Sequence, residues 1–176
     1  TKTWYSYDEL GRVSWMATWY KQIFDEPKVI EYQYDFTGNI VSVSYQDGEG
    51  KDDSFYQYYT YDADNRLSKV YAAEVQIDEN NPQQQFLQAT YEYYLHGPLK
   101  SVELADGIQN IDYYYTIQGW LKSINDPDNM YSNGQLDDHF AQTFNYFNGD
   151  YASRDTDLNT SGIANEQFTG NIAGLN

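Results

Sequence analysis

Residues 5–13 of this chain read YSYDELGRV, and the pattern recurs at residues 32–40 (YQYDFTGNI) and 59–67 (YTYDADNRL). Two looser copies follow at residues 91–99 (YEYYLHGPL) and 113–121 (YYYTIQGWL). The second tyrosine of the five copies falls at positions 7, 34, 61, 93 and 115, so the spacings are 27, 27, 32 and 22 residues. Self-similarity at a period of this size indicates a repeat protein.

Each position of the repeat has a physical explanation. The two tyrosines are two residues apart, so they point to the same face of a β-strand. The aspartate that follows, Asp8 in the first copy, can begin a tight turn because its carboxylate accepts hydrogen bonds from backbone N–H groups two residues on. Three residues later stands a glycine, or Asn65 in the third copy, and both residue types tolerate the positive φ of a left-handed turn residue. The pattern predicts antiparallel hairpins.

The residues assigned to the repeat are the paired tyrosines, the turn aspartates and the left-handed turn residues. They are Tyr5, Tyr7, Asp8, Gly11, Tyr32, Tyr34, Asp35, Gly38, Tyr59, Tyr61, Asp62, Asn65, Tyr91, Tyr93, Gly97, Tyr113, Tyr115 and Gly119. We expect the tyrosines to form ladders on one face of a sheet, mostly shielded from water.

An apolar residue begins each returning strand, and a second one follows three positions later. The first positions are Val13, Ile40, Leu67, Leu99 and Leu121, and the second are Met16, Val43, Val70, Val102 and Ile124. We expect the first set to be buried beside the tyrosines. A spacing of three puts the two sets on opposite faces of a regular strand, unless a bulge intervenes. The sequence leaves both arrangements open.

These repeats, in a chain with 20 tyrosines, predict an all-β fold, an antiparallel meander of about ten strands. Residues 1–124 are assigned to five hairpins and residues 125–176 to a loop-rich tail. Within the tail, residues 144–146 and 170–172 are predicted to be the two strands of a sixth, degenerate hairpin. We expect the residues between them, about 147–167, to form a mobile loop.

The charge of the chain excludes several partners. It has 27 acidic and 10 basic residues and a net charge of −17, which argues against binding to nucleic acid or to an anionic membrane surface. No stretch has the ~20 apolar residues of a membrane span. The absence of cysteine excludes disulfides and thiolate metal sites in this chain. We expect a monomer at low salt, with edge-to-edge strand pairing between copies once salt screens the repulsion.

Candidate sites for chemistry are few. His96 and His139 have no Ser or Cys partner in a recognisable motif, so we expect both to be surface residues and the chain not to be an enzyme. Acidic clusters at residues 62–65, 126–129 and 155–157 are the candidates for Ca²⁺ binding. Asp62 is equally explained as a turn former, and we expect no cofactor.

Four tryptophans are candidates for stacking on a ligand such as a sugar ring. They are Trp4, Trp15, Trp19 and Trp120. Aromatic residues at regular strand positions more often pack across strands and against the next layer. A carbohydrate- or protein-binding surface is therefore the alternative to a structural role, and exposure of the aromatic face distinguishes the two.

The segment Tyr5–Val13, with its pattern Tyr-x-Tyr-Asp-x-x-Gly-Arg-Val, resembles the YD repeat of the Rhs (rearrangement hotspot) family. The resemblance covers about residues 5–124, and residues 115–125 and 168–174 are similar to segments near the end of bacterial Rhs repeat regions. It implies a spiralling β shell around a C-terminal toxin or effector. The family's end-of-shell segment with its autocleavage aspartates has no counterpart in this sequence.

From this resemblance we expect a structural section of wall from a larger bacterial protein that is secreted or lies at the cell surface. Its partners would then be the neighbouring repeats and the effector domain of that protein. It would have no chemistry of its own.

Overall fold

The computed structural model of the chain describes residues 1–46, 52–77, 85–127, 131–132, 135–136, 138–147 and 166–175. These residues form fourteen β-strands and no α-helix, so the predicted all-β fold class is confirmed. The described part of the chain contains no helix with the length and apolarity that crossing a bilayer requires. Nearly all of the loop expected at about residues 147–167 lies outside the described residues.

The described residues before residue 125 form ten strands, as predicted. They are β1 (Lys2–Tyr7), β2 (Val13–Trp19), β3 (Lys28–Tyr34), β4 (Ile40–Tyr45), β5 (Phe55–Tyr61), β6 (Leu67–Ala73), β7 (Phe86–Tyr93), β8 (Leu99–Leu104), β9 (Gln109–Tyr115) and β10 (Leu121–Ile124). The later strands are β11 (Tyr131–Ser132), β12 (Gln135–Leu136), β13 (Gln142–Asn145) and β14 (Gly174–Leu175).

The chain divides into two compact units, Thr1–Thr90 and Tyr91–Asn176. In the first unit the strands pair antiparallel in sequence order, from β1 with β2 through to β6 with β7. Each of the first three tyrosine motifs ends the first strand of a hairpin, and the turn after it leads into the returning strand. This is the meander predicted from the repeats.

Each of these three hairpins contains a β-bulge at the start of its returning strand. In the first hairpin Tyr7 pairs with Val13 while Ser6 pairs with Trp15, so Ser14 is an extra residue in the ladder. The corresponding extra residues are Val41, Ser68 and, in the second unit, Lys122. The bulge is therefore the correct alternative of the two that the sequence left open.

The bulge places both apolar positions on the tyrosine face. Met16 pairs with Tyr5 as Val13 pairs with Tyr7, and directly opposed residues of an antiparallel ladder share a face. The equivalent pairs are Tyr32–Val43, Tyr34–Ile40, Tyr59–Val70, Tyr61–Leu67, Tyr113–Ile124 and Tyr115–Leu121. One face of each of these hairpins thus carries two tyrosines against two apolar side chains.

The ladder tyrosines are mostly shielded from water, as predicted, except on β1. Tyr5 and Tyr7 on β1 are 52% and 60% exposed, and the other eight ladder tyrosines are half-buried. The expectation that the first apolar set would be buried is wrong, because Val13, Ile40, Leu67, Leu99 and Leu121 are all half-buried. Within the described residues, the strand contacts of the first unit are mainly between sheet neighbours, so these side chains are covered mainly by those of the adjacent strands. Strand β1 has such a neighbour on one side.

The second unit continues with antiparallel pairs of β8 with β9, β9 with β10, β10 with β13 and β13 with β14. Strands β11 and β12 form a separate short hairpin. The predicted position of the last strand is corrected, because Gly174–Leu175 pairs with β13 whereas residues 170–172 are not in a strand. Gly170 has a φ of 88°. The extended backbone therefore resumes only after this left-handed residue.

Two buried amide residues end strands without leaving unpaired polar groups. Gln46 follows β4, and its N–H donates to the Val29 carbonyl at 2.9 Å while its Oε1 accepts from the Val29 N–H at 2.8 Å. Asn125 follows β10 and exchanges the same two bonds with Asp112, at 2.8 and 2.7 Å. Both have positive φ. Each side-chain oxygen replaces a backbone acceptor at the end of the ladder, a role that the sequence analysis missed.

Candidate functional site

The turns after the five tyrosine motifs share one backbone geometry. In the first, the Asp8 N–H donates to the Arg12 carbonyl at 2.8 Å and the Gly11 N–H donates to the Asp8 carbonyl at 3.0 Å. The equivalent bonds of the other four turns measure 2.8–3.2 Å. The positive φ predicted at the left-handed position is confirmed: Gly11 has 79°, Gly38 97° and Asn65 65°. Gly97 and Gly119 have 115° and 84°.

The turn aspartate organises the loop around its carboxylate, as predicted. Asp8 Oδ1 accepts from the backbone N–H groups of Leu10 and Arg12, both at 2.9 Å. Its Oδ2 accepts from Arg12 Nε at 2.6 Å. Asp35 and Asp62 repeat the arrangement, with Oδ2 bonded to Asn39 Nδ2 at 3.0 Å and Arg66 Nε at 2.8 Å. The sequence analysis assigned no role to this last turn position, which is occupied by Arg12, Asn39 and Arg66 in the first three turns.

These contacts favour the ionised carboxylates. The hydroxyl of Thr37, followed by the backbone and side chain of Asn39, lowers the pKa of Asp35 to about 2 against partial desolvation. The hydrogen bonds from Arg66 lower the pKa of Asp62. For Asp8, desolvation alone would raise the pKa, but the bonds from Arg12 and Leu10 together outweigh it and lower the pKa.

The fourth and fifth turns keep the geometry without an aspartate. Thr116 stands at the aspartate position of the fifth turn, and its Oγ1 accepts from the Trp120 N–H at 3.2 Å. Tyr94 stands there in the fourth turn, and its hydroxyl donates to the Tyr113 carbonyl at 3.0 Å. The left-handed residue and the backbone bonds are therefore common to all five turns, and the carboxylate is an addition.

The second tyrosine of a motif bonds to the preceding hairpin. The Tyr34 hydroxyl donates to the Val13 carbonyl at 2.9 Å, and the Tyr61 hydroxyl donates to the Ile40 carbonyl at 2.7 Å. In the second unit the Tyr146 hydroxyl donates to the Leu121 carbonyl at 2.7 Å. The acceptor is each time the first apolar residue of the preceding returning strand. We call these three contacts the tyrosine bridges.

Tyr146 is thus placed as the second tyrosine of a sixth hairpin, formed by β13 and β14. It is almost fully buried. Its bridge follows the same rule as those of Tyr34 and Tyr61, although Phe144 stands in place of the first tyrosine and Phe147 in place of the aspartate. The tyrosine two residues after an aromatic residue is the signal for this unit in the sequence.

The four candidate tryptophans lie in different surroundings. Trp120 is half-buried with its ring centroid 5.1 Å from that of Tyr146. Trp19 is half-buried and donates from Nε1 to the Phe24 carbonyl at 2.9 Å. Trp4 and Trp15 are exposed, at 41% and 37%. Their partners in the ladder, Ala17 and Ser6, place both indoles on the face opposite the tyrosines.

No group of three or more metal-ligating side chains occurs within the described residues. The carboxylate of Asp62, one of the Ca²⁺ candidates, is bonded within its own turn. Residues 128–129 and 155–157 lie outside the described residues. His96 and His139 are exposed, as expected.

The shared turns and the tyrosine bridges define an all-β repeat protein made of tandem antiparallel hairpins. No protein-family model matches the chain, and no curated protein matches it. Among solved structures, the crystal structure of TcdB2-TccC3-TEV is similar at 14% identity over 80% of this chain, with a TM-score of 0.45. The structure of the Photorhabdus luminescens Tc holotoxin pore is similar at 13% identity over 83%, with a TM-score of 0.33.

This chain spans only 8% and 10% of the length of those two chains. TM-scores below 0.5 are too low to establish a common fold. The function of the chain is therefore inferred from its own residues.

Proposed function

We propose that this chain is a structural section of the β wall of a larger bacterial YD-repeat protein of the Rhs type. The larger protein would be secreted or lie at the cell surface, and its wall would enclose or present a C-terminal toxin or effector. The partners of this section are the neighbouring repeats and that effector domain. It has no cofactor and no enzymatic activity of its own.

The observation that carries the proposal is the tyrosine bridge. It joins one hairpin to the next through a single side chain, and it recurs with the same donor and acceptor positions for Tyr34, Tyr61 and Tyr146. A joint that depends only on the neighbouring unit lets a sheet be extended by any number of hairpins. The turn aspartates are likewise occupied by contacts within the wall.

Protection of the effector tests this role. In the complete protein we expect the C-terminal region to resist limited proteolysis, and to be cut readily when it is expressed without the repeats. Removing two bridges with Tyr34→Phe and Tyr61→Phe should lower the temperature at which protection is lost, because the joints between hairpins are weakened.

The matched control is Tyr32→Phe with Tyr59→Phe, since these tyrosines belong to the same motifs and do not form the bridges. The Tyr59 hydroxyl donates within its own strand, to Gln57 Oε1 at 2.6 Å. A C-terminal region that is cut equally with and without the repeats would refute a protective wall. Equal effects of the two pairs of substitutions would show that the bridges are not what maintains it.

The exposed indoles of Trp4 and Trp15 favour a second candidate, a glycan-binding surface on the face opposite the tyrosines. Indole rings stack on apolar faces of ligands and keep a polar edge for hydrogen bonding. Binding to an oligosaccharide array by the intact chain, lost in Trp4→Ala with Trp15→Ala and retained in Trp120→Phe, would support this function. If the chain binds no oligosaccharide, the structural role in the wall is the one candidate function that remains.

A further inference from the structure

Successive hairpins also meet through the last residue of one turn and the left-handed residue of the next. In the first unit Arg12 lies over the Tyr34 ring, with its Cζ 4.3 Å from the ring centroid, and Nη1 donates to the Asp35 carbonyl at 3.5 Å. A β-carbon on Gly38 would stand 3.9 Å from Arg12 Nη1. The guanidinium thus lies against the next turn at Gly38, where there is no side chain in its place.

Trp120 makes the equivalent contact in the second unit with a different planar group. Its ring packs on Tyr146, the tyrosine that bridges to the preceding strand, with centroids 5.1 Å apart. A β-carbon on Gly170 would stand 2.8 Å from Trp120 Nε1 and 2.9 Å from Cε2. That separation is shorter than any ordinary contact, so the indole fits only against glycine.

The second and third hairpins use another pair at the same two positions. Asn39 replaces the planar group, and its Nδ2 donates to Asn65 Oδ1 at 2.6 Å. Asn65 is the left-handed residue, and its Nδ2 donates back to Asn39 Oδ1 at 3.3 Å. A short amide at the end of one turn therefore accompanies a left-handed residue that has a side chain.

We propose that these two positions form a matched pair that determines which hairpins can be neighbours. A planar Arg or Trp at the end of a turn is matched with a left-handed glycine in the next hairpin, and Asn is matched with Asn. Exchanging one member of a pair removes a contact. It also introduces a clash where a β-carbon has no room, as at Gly170, or leaves an amide unpaired. This inference rests on the proposed function in taking the neighbours to be repeats of one wall.

The pair identifies the partner that fits the outer side of β1. Gly11 is left-handed, and Tyr7 is 60% exposed where the equivalent Tyr34 and Tyr61 are half-buried. This glycine and the open ring correspond to Gly38 and Tyr34, on which Arg12 lies in the next hairpin. The partner is a further hairpin of the same repeat whose turn ends in Arg or Trp and whose returning strand pairs with β1.

A double-mutant cycle in the intact chain tests the matching, with Arg12→Asn, Gly38→Asn and the two combined. We expect each single substitution to lower the folding equilibrium constant of the first unit by about five- to tenfold, measured by urea unfolding or by amide exchange in β2 and β3. The double variant recreates the Asn39–Asn65 pair. Its folding equilibrium constant should be at least about fivefold higher than the value expected if the two single losses multiplied.

Gly11→Asn is the control, because it places the same residue in the same backbone conformation with no neighbour to meet, and it should be nearly neutral. Two losses that simply multiply in the double variant would overturn the proposal. A Gly38→Asn variant as stable as Gly11→Asn, with Arg12 in place, would overturn it as well.

The cycle is measured on this chain alone, so its result is independent of whether the longer protein protects an effector. Coupling without protection would support the matched pair and contradict the proposed function. Protection without coupling would support the proposed function and contradict the matched pair.

Discussion

A left-handed residue closes each of the five motif turns, and its conformation is the strictest local requirement of the repeat. In four turns it is glycine, and in the third it is Asn65, whose side chain is tolerated in this region of φ and ψ. The conformation costs a residue with a branched β-carbon about 1–2 kcal/mol. The swap of glycine for asparagine is therefore a conservative change in backbone terms.

Gly11 allows that backbone cost to be measured without a steric one, because no atom lies within 4 Å of its β-carbon position. Gly11→Val should destabilise the first unit by about 1–2 kcal/mol, measured by urea unfolding. Gly11→Asn should be tolerated. A valine variant with wild-type stability would show that the turn can adopt another conformation.

The carboxylate of Asp35 makes stability depend on acidity. Its pKa in the folded protein is about 2, below the ordinary value of 3.8, so its contribution is fully present above about pH 5 and is lost as the pH falls towards 2. Asp35→Asn keeps an acceptor at Oδ1 and does not titrate. The difference in unfolding free energy between the two proteins should therefore shrink between about pH 5 and pH 2.

A difference that stays constant over this range would show that Asp35 is not ionised preferentially in the folded chain. Comparing the two proteins at each pH removes the contributions of the other carboxylates, including Asp8 and Asp62, whose pKa values are also lowered.

At the scale of hairpins, the tyrosine bridge is a single hydrogen bond across a seam that has backbone pairing as well. Replacing Tyr34 by Phe removes the hydroxyl and leaves the Val13 carbonyl to solvent, which should cost about 0.5–1.5 kcal/mol. Amide exchange of β2 and β3 reports the effect where it arises. Tyr32→Phe is the matched control, and an equal loss in both variants would mean that the phenol rings matter and the bridge does not.

The end of β10 is stabilised by the hydrogen bonds of a buried amide side chain. Asn125 is fully buried, with Oδ1 accepting from the Asp112 N–H and Nδ2 donating to the Phe140 carbonyl at 2.8 Å. Asn125→Leu preserves the approximate volume but leaves both partners unpaired, which should cost about 1–3 kcal/mol. Leucine at the left-handed φ of 56° adds about 1–2 kcal/mol. Thermal unfolding of the second unit measures it, and a neutral result would mean that water replaces the amide.

At the scale of the whole molecule, charge and the open strand edge act in opposite directions. The outer side of β1 presents unpaired backbone groups that favour pairing with another strand, while the net charge of −17 keeps copies apart. We expect a monomer at low salt and association at about 1 M salt, where the screening length falls to about 3 Å.

Light scattering across a salt series measures this balance. A dimer that persists unchanged at low salt would show that self-association is built into the chain and does not depend on screening. Thr3→Pro, which removes a backbone donor that faces away from β2, should reduce any association that occurs through this edge.

The residues of the turns by themselves determined the hairpins, their number before residue 125 and the left-handed positions. This was possible because an Asx turn and its closing glycine act within five residues, so their chemistry is complete in the local sequence. Only the tertiary structure decided the bulges, the tyrosine bridges and the displacement of the last strand to Gly174–Leu175.

Those features depend on a residue in another strand. Whether Val13 and Met16 share a face depends on the register with Tyr5 and Tyr7, and whether Tyr7 is shielded depends on a strand beside β1. A nine-residue pattern specifies its own turn, but the exposure of its side chains is set by what packs against them. This is why the turn geometry followed from the sequence, while the burial of Tyr5, Tyr7 and the first apolar set did not.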